Sequence, residues 1–247
     1  MTGNVLIRAC DMLTPRADER DRPRPTASAS LLAGGQARPL DTTPPKALPQ
    51  FGHVKRYWDP QLQCFAAKIL PGEYYVTLHG EMIVTVLGSC VSACVREREL
   101  GIGGMNHFML PLDASQGRTA WDTGVSAATR FGNVAMERLI NDILKLGGRR
   151  ERLEFKLVGG GRVLDAVTDV GARNIEFVRD YVRTEGFRVS GEDLGSDHPR
   201  KVHYFPADGK VRVKRLVSTR DSTIYERERH YLHELARAPV AGDVELF

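Results

Sequence analysis

The chain has 247 residues, of which 42% are hydrophobic and 27% charged, an ordinary globular composition for one full domain or two small ones. The net charge is only +4 and the two signs are interspersed, so we expect no nucleic-acid partner. No apolar run reaches the roughly 18 residues that a membrane span needs, which excludes membrane insertion. Arg8 and Asp11 interrupt the first apolar stretch, so we expect no signal peptide and a cytoplasmic location.

The N-terminal part differs in composition from the rest. Seven of the 13 prolines fall between Pro15 and Pro49, and no aromatic residue precedes Phe51. Such a segment buries too little apolar surface to offset the entropy of ordering it, so residues 1–55 are predicted to be a disordered Pro-rich extension. We expect one folded domain over residues 68–216, about 150 residues. The charged tail, residues 217–247, is predicted to be a peripheral helix or partly frayed.

The first half of the expected domain combines strands with one helix. Segments 82–86 and 91–95 are apolar and rich in β-branched residues, which is typical of buried strands. Segment 101–110 follows a short charged turn and is predicted to be the next strand. Between residues 126 and 146, apolar side chains recur every four positions before two glycines, which indicates an amphipathic helix.

The second half has a similar mixture. Segment 155–158 is predicted to be a strand that runs into a glycine triplet, and Asn174 is a candidate N-cap of a helix ending near Gly186. Asp208 and Gly209 lie between segments 201–205 and 210–216, which predicts a hairpin. The fold class expected is therefore α+β: mixed, largely antiparallel sheets packed with helices in a single domain.

Cys90 follows a Gly88-Ser89 pair between two apolar strands. Glycine permits a sharp turn, and successive N–H groups in such a turn can point at one developing oxyanion. A cysteine there can act as a nucleophile if a base generates its thiolate. From the residue type alone, a buried packing role is the commoner alternative, as we expect for Cys94.

His107 is the candidate base. If segments 91–95 and 101–110 pair as a hairpin, its imidazole returns towards Cys90. Thr85 could accept the second imidazole N–H and fix the tautomer, a role that a carboxylate more often has. A histidine among Met, Phe and Leu is by itself more often a satisfied core residue. Cys90, Cys94 and His107 lack a second Cys/His pair at zinc-finger spacing, so we expect no metal.

These segments together resemble the chemoreceptor glutamine deamidase family, CheD. Two similarities are highly specific: residues 85–91, which resemble the nucleophile segment of the family, and residues 101–111, which resemble its histidine segment. Four further segments match in the expected order: 156–161, 171–174, 192–195 and 200–202.

The resemblance implies a catalytic Cys-His-Thr set, which falls on Cys90, His107 and Thr85, with Gly88 and Ser89 in the oxyanion turn. It implies a protein-glutamine glutaminase that converts glutamine side chains on the cytoplasmic helices of methyl-accepting chemotaxis receptors to glutamate through a thioester. No metal or organic cofactor is expected. Two alternatives stay open: another Cys-His amide hydrolase or a transglutaminase, and a regulatory binding partner of a chemotaxis response-regulator phosphatase.

Overall fold

The computed structural model describes residues 43–112, 127–164, 169–216 and 222–237. In these ranges the chain forms ten strands and three α-helices, with short 3-10 helices at Pro49–Phe51 and Arg150–Arg152. The strands are β1 Lys55–Asp59, β2 Cys64–Lys68, β3 Tyr74–Thr77, β4 Met82–Leu87, β5 Val91–Glu97, β6 Gly103–Asn106, β7 Leu153–Gly159, β8 Arg188–Leu194, β9 Arg200–Phe205 and β10 Lys210–Arg215. The helices are α1 Ala127–Lys145, α2 Val170–Thr184 and α3 Ser222–Arg237.

The strands form two five-stranded sheets, in the spatial orders β1-β2-β4-β9-β10 and β3-β6-β5-β7-β8. One pair in each sheet is parallel, β2 with β4 and β7 with β8, and the other described pairs are antiparallel. The prediction of an α+β domain with mixed, largely antiparallel sheets is therefore confirmed.

A single large apolar cluster joins the layers. It contains Ile83 and Tyr204 from the first sheet, Val91 and Leu157 from the second, and Leu139 from α1, all 0–1% exposed. Helices α1 and α2 pack on strands of the second sheet. The chain passes from the first sheet to the second between β4 and β5, so residues 88–90 lie where the two sheets meet.

Most predicted elements appear in the structure, because their apolar periodicity is a local property. Segments 82–86 and 91–95 are β4 and β5, segment 126–146 contains α1, and the hairpin around Asp208 and Gly209 is formed by β9 and β10. The strand predicted over 101–110 is shorter, since β6 ends at Asn106. Beyond it, the chain turns to β3 and hydrogen-bonds the loop at residues 72 and 73.

The predicted start of the second helix is wrong. Helix α2 begins at Val170, and the N-cap is Asp169, whose carboxylate accepts a hydrogen bond from the N–H of Ala172 at 3.0 Å. Asn174 lies inside the helix and is fully buried. Its short polar side chain, which sequence reasoning assigned to a cap, bonds distant backbone groups instead.

Described elements extend on both sides of residues 68–216. Strands β1 and β2 precede this range and α3 follows it, while Phe51 and Val54 from the predicted extension are buried. The rest of that extension, residues 1–42, and segments 217–221 and 238–247 of the tail lie outside the described residues. None of the described helices is long and apolar enough to cross a membrane.

Candidate active site

The turn at residues 88–90 is held through its carbonyl groups. All three carbonyl oxygens accept a hydrogen bond from segments packed behind the turn, at 2.7–2.8 Å: Gly88 from the N–H of Gly161, Ser89 from the side-chain amide of Asn174, and Cys90 from the N–H of Gly160. Because every carbonyl is engaged on that side, the N–H groups of the same residues are free to face the opposite side.

The glycine triplet after β7 makes these hydrogen bonds to the carbonyl groups possible. Gly159 and Gly160 have φ values of 116° and 67°, in the region that favours glycine. A Cβ at Gly160 would lie 2.4 Å from Ile175 of α2, so only glycine allows the helix and the turn at residues 88–90 to come this close. The triplet therefore lets α2 and the sheet pack closely behind the turn.

The N–H groups of the turn converge on one carboxylate. Oε1 of Glu228 accepts from the N–H groups of Gly88 at 2.8 Å and Cys90 at 3.2 Å. Oε2 accepts from the N–H of Ser89 at 2.7 Å and from its hydroxyl at 2.6 Å. The turn therefore forms an anion-binding pocket of three main-chain donors, and a glutamate side chain from α3 occupies it.

His107 reaches the same place from the second sheet. Strands β5 and β6 pair antiparallel, and an isolated bridge between Val91 and Phe108 extends the pairing past the end of β6. This pairing brings His107 back to the turn, as predicted from a hairpin of segments 91–95 and 101–110. The Sγ of Cys90, a ring nitrogen of His107 and a carboxylate oxygen of Glu228 lie within 4.8 Å of one another.

Thr85 determines the tautomer of His107. Its Oγ1 lies 2.8 Å from Nδ1 of the imidazole and 2.9 Å from the carbonyl oxygen of Ile69. A hydroxyl has one proton, and the Ile69 carbonyl can only accept, so Thr85 donates to Ile69 and accepts from Nδ1–H. The Nε2 atom is therefore the one with the free lone pair, and among the described residues it has no hydrogen-bond partner.

Both reactive groups are fully enclosed, and their pKa values shift accordingly. Cys90 is 0% exposed; its burial, followed by the negative charge of Glu228, raises the pKa of the thiol well above its usual range. Burial of His107, followed by the positive charge of Arg227 on α3, lowers the pKa of the imidazole to about 3. In this arrangement the pair is a neutral thiol beside a neutral imidazole.

Cys94 does not share this environment. It lies in β5 opposite Met105 on one side and Lys156 on the other, and belongs to the buried apolar cluster. Burial raises the pKa of its thiol, and only the charge of Lys156 opposes that shift. Of the two buried cysteines, Cys90 alone joins the described group with His107 and Glu228.

Cysteine, histidine and glutamate are also residue types that bind zinc. Each oxygen of Glu228 already accepts two hydrogen bonds from the turn. A carboxylate offers about four acceptor positions, and the turn fills all of them. This donor set therefore fits a carboxylate bound by N–H groups better than a carboxylate bound to a cation.

Sequence reasoning missed two residues of this site. Asn174 also accepts a hydrogen bond from the N–H of Leu110 at 2.9 Å, so its amide joins the turn at residues 88–90 to the segment that follows His107. Glu228 lies in the tail predicted to be peripheral, yet it is only 2% exposed. No local pattern around either residue distinguishes it from an ordinary helical Asn or Glu.

The geometry defines a class of site: a buried cysteine and a histidine of fixed tautomer beside a pocket of main-chain donors, suited to nucleophilic attack on a carbonyl group. Residues 109–215 match the family model described as CheD chemotactic sensory transduction. A protein of Halorhodospira halophila is 61% identical over 213 residues, covering 86% of this chain and 99% of the relative. The chain belongs to the CheD family, which confirms the resemblance found in the sequence.

Two further relatives agree. A protein of Hahella chejuensis is 53% identical over 204 residues, covering 83% of this chain and 95% of the relative. A protein of Herminiimonas arsenicoxydans is 54% identical over 193 residues, covering 77% of this chain and 93% of the relative. All three are named probable chemoreceptor glutamine deamidase CheD. The family-model match begins after His107, so it does not include Cys90, His107 or Thr85.

Proposed function

We propose that this chain hydrolyses the side-chain amide of glutamine residues on methyl-accepting chemotaxis receptors, with Cys90 as nucleophile. The observation that carries the proposal is the carboxylate of Glu228 in the N–H pocket beside the Cys90 thiol. Deamidation converts a glutamine side chain to a glutamate side chain, so the pocket already holds the functional group of the product. The names of the relatives support the same activity and substrate.

The first half of the reaction forms a thioester. Nε2 of His107 removes the proton from Cys90, and the thiolate attacks the amide carbon of the substrate glutamine. The N–H groups of residues 88–90 stabilise the negative oxygen of the tetrahedral intermediate, a contribution that reaches about 2.7–4 kcal/mol for one donor in other enzymes. When the C–N bond breaks, the imidazolium returns its proton to the nitrogen, and ammonia leaves.

The second half releases the product. Nε2 of His107 takes a proton from a water molecule, whose oxygen attacks the thioester carbon. The C–S bond breaks, Cys90 recovers its proton, and the substrate side chain becomes a glutamate. Thr85 keeps Nδ1 protonated throughout, which leaves Nε2 available for both proton transfers. No step requires a cofactor.

The reaction changes the charge of the receptor. Each event adds one negative charge to a receptor helix and creates a carboxylate that a methyltransferase can esterify, so we infer that it adjusts receptor signalling. The proposed substrate helices are the cytoplasmic helices of the receptors, so the proposal implies a cytoplasmic reaction. Binding to a response-regulator phosphatase stays a prediction; binding that survives Cys90→Ala would support this separate role.

Mass spectrometry of a receptor cytoplasmic fragment tests the proposal. Incubation with the full chain should convert specific glutamines to glutamates and release an equal amount of ammonia, whereas Cys90→Ala should do neither. An added primary amine separates hydrolysis from transglutamination, because a transglutaminase would attach the amine to the same glutamines. A receptor fragment unchanged by every form of the chain, including variants in which α3 no longer covers Cys90, would contradict the proposal.

A further inference from the structure

Glu228 is a buried charge outside the catalytic set. An ionised carboxylate is costly to bury unless hydrogen bonds replace its water, and here four donors from Gly88, Ser89 and Cys90 do so. The fit leaves no room for a side chain at Gly88, where a Cβ would lie 2.6 Å from Oε2 of Glu228. The carboxylate is therefore tightly seated in the pocket.

Glu228 and a substrate cannot be bound together. The main-chain donors that hold its carboxylate are the groups that the oxyanion of the substrate needs. Cys90 is 0% exposed and His107 is 1% exposed while α3 is in place, so no glutamine from outside can reach the thiol. The turnover described above requires α3 to leave its position.

α3 also places two unfavourable charges at the catalytic pair. Glu228 lies beside Cys90, where its negative charge opposes formation of a thiolate. Arg227, the preceding residue, lies near His107, where its positive charge opposes formation of an imidazolium. Each charge has the same sign as the one that its neighbour acquires during proton transfer, so each opposes the ionisation of that neighbour, in addition to the steric block.

The attachment of α3 involves one face of the helix. Besides Glu228, this face presents Tyr231, which approaches Gly72, and Leu232 and Leu235, which pack on the core. These positions are three or four residues apart and therefore share one side of the helix. Most of the remaining described positions are exposed and polar or charged. One carboxylate and a few apolar side chains therefore attach α3 to the rest of the domain. An amphipathic helix of a partner can present the same combination of side chains.

We propose that α3 is an internal inhibitor that mimics the product, with Glu228 in the place of the substrate side chain, and that a glutamine-bearing amphipathic helix of the receptor displaces it. The inhibitory role rests on the geometry of α3, and the identity of the displacing helix rests on the proposed function.

Alkylation of Cys90 in the full-length chain tests the inhibitor directly. Iodoacetamide is applied at fixed pH, and peptide mass spectrometry follows the modification of Cys90 separately from the other cysteines. Glu228→Ala should raise the alkylation rate of Cys90 about tenfold or more, because it removes the charge-assisted hydrogen bonds that seat α3. Glu226→Ala is the matched control, since it removes the same charge from an exposed position of α3 and should react like the parent.

Receptor deamidation by the same proteins separates this inference from the proposed function. Glu228→Ala should convert receptor glutamines faster than the parent. Faster alkylation with no conversion by any form would keep the inhibitor and refute the deamidase. Equal alkylation and equal conversion by parent and Glu228→Ala would refute the inhibitor and keep the deamidase. Slower conversion by Glu228→Ala, with Cys90 alkylated at the parent rate, would also refute the inhibitor.

A second variant covers the case in which Glu228→Ala does not fold. Glu228→Gln keeps the side-chain size but loses the charge and half of the acceptor positions, so it should also speed alkylation of Cys90. This variant also places an amide beside the thiol. If Cys90 attacks it, water replaces ammonia and the residue returns to glutamate, a change that a second substitution, Cys90→Ala, should abolish. Alkylation at the parent rate, in Glu228→Gln protein whose residue 228 is still glutamine by mass spectrometry, would overturn the inhibitor.

Discussion

The hydroxyl of Thr85 lies 2.8 Å from Nδ1 of His107 and donates a hydrogen bond to the carbonyl oxygen of Ile69. These two hydrogen bonds connect Thr85 in the first sheet to the histidine beside the second sheet, and their directions fix the tautomer of the imidazole. A carboxylate orienter would also stabilise the imidazolium by its charge, whereas a hydroxyl only orients the neutral ring. The proposed catalytic pair, Cys90 and His107, therefore depends on geometry more than on a third charge.

The first prediction concerns these two hydrogen bonds of Thr85. Thr85→Val keeps the size and β-branching but leaves Nδ1–H and the Ile69 carbonyl without their partner. One lost hydrogen bond is worth about 1 kcal/mol, or up to about 3 when a buried group stays unpaired, which corresponds to roughly 5- to 150-fold in rate. We expect kcat to fall by this factor, between the parent and Cys90→Ala, and Thr85→Ser to recover part of the loss. Equal rates for Thr85→Val and the parent would mean that the hydroxyl does not serve the histidine.

The two buried cysteines should differ sharply. Cys90→Ala removes the only described thiol in the site and should abolish deamidation while the fold persists, since the cavity left is small. Cys94→Ala makes a similar cavity in the apolar cluster and should keep most activity. Circular dichroism and receptor deamidation on both variants check this. Loss of activity in Cys94→Ala with activity retained in Cys90→Ala would show that Cys94, and not Cys90, is the nucleophile.

Asn174 should matter for both stability and turnover. Asn174→Ala leaves the carbonyl of Ser89 and the N–H of Leu110 unpaired in the interior, at a cost of about 1–3 kcal/mol for each such group. We expect a lower urea midpoint and a lower kcat, because the turn and the segment after His107 lose their link. Asn141→Ala, at an exposed position of α1, is the control and should change neither. A normal kcat in Asn174→Ala would restrict this residue to a stabilising role.

The sequence predicts those features of the fold that depend on local patterns. The buried strands on either side of Cys90, the helix α1 and the hairpin at Asp208 follow from apolar periodicity and turn residues, which neighbouring residues determine. The Cys90, His107 and Thr85 set follows from the motifs of the family and from one hairpin. Asn174 and Glu228 could not be found in this way, because their partners are 64 and 85 residues away for Asn174 and 138–140 residues away for Glu228.

Arg200 illustrates a second limit. Arginine side chains are mostly exposed in proteins, but Arg200 is fully buried and pairs with Asp193 at 2.7 Å. Its guanidinium also donates to the carbonyl groups of Asp193 and Gly195, so it fixes the end of β8 beside the glycine triplet. A charged residue becomes part of the interior when enough acceptors surround it, and here those acceptors come from the end of β8, in the other sheet.

The last prediction concerns the pH dependence of stability. Burial holds the pKa of His107 at about 3 in the folded chain, whereas an unfolded chain gives histidine its ordinary value of about 6.5. Between these values the unfolded state binds a proton that the folded state does not, so the free energy of unfolding must fall as the pH decreases below about 6.5.

At pH 5 the contribution of His107 to this loss is on the order of 2 kcal/mol relative to pH 7. His203, whose pKa burial lowers to about 4, adds to the loss in the same direction. Urea unfolding at both pH values measures the loss. His107→Gln cannot take up the proton, so it should show a smaller difference between pH 7 and pH 5 whatever its absolute stability. If the parent and His107→Gln lost the same free energy over this range, the imidazole would not be held neutral in the folded chain, and water would have access to the catalytic pair.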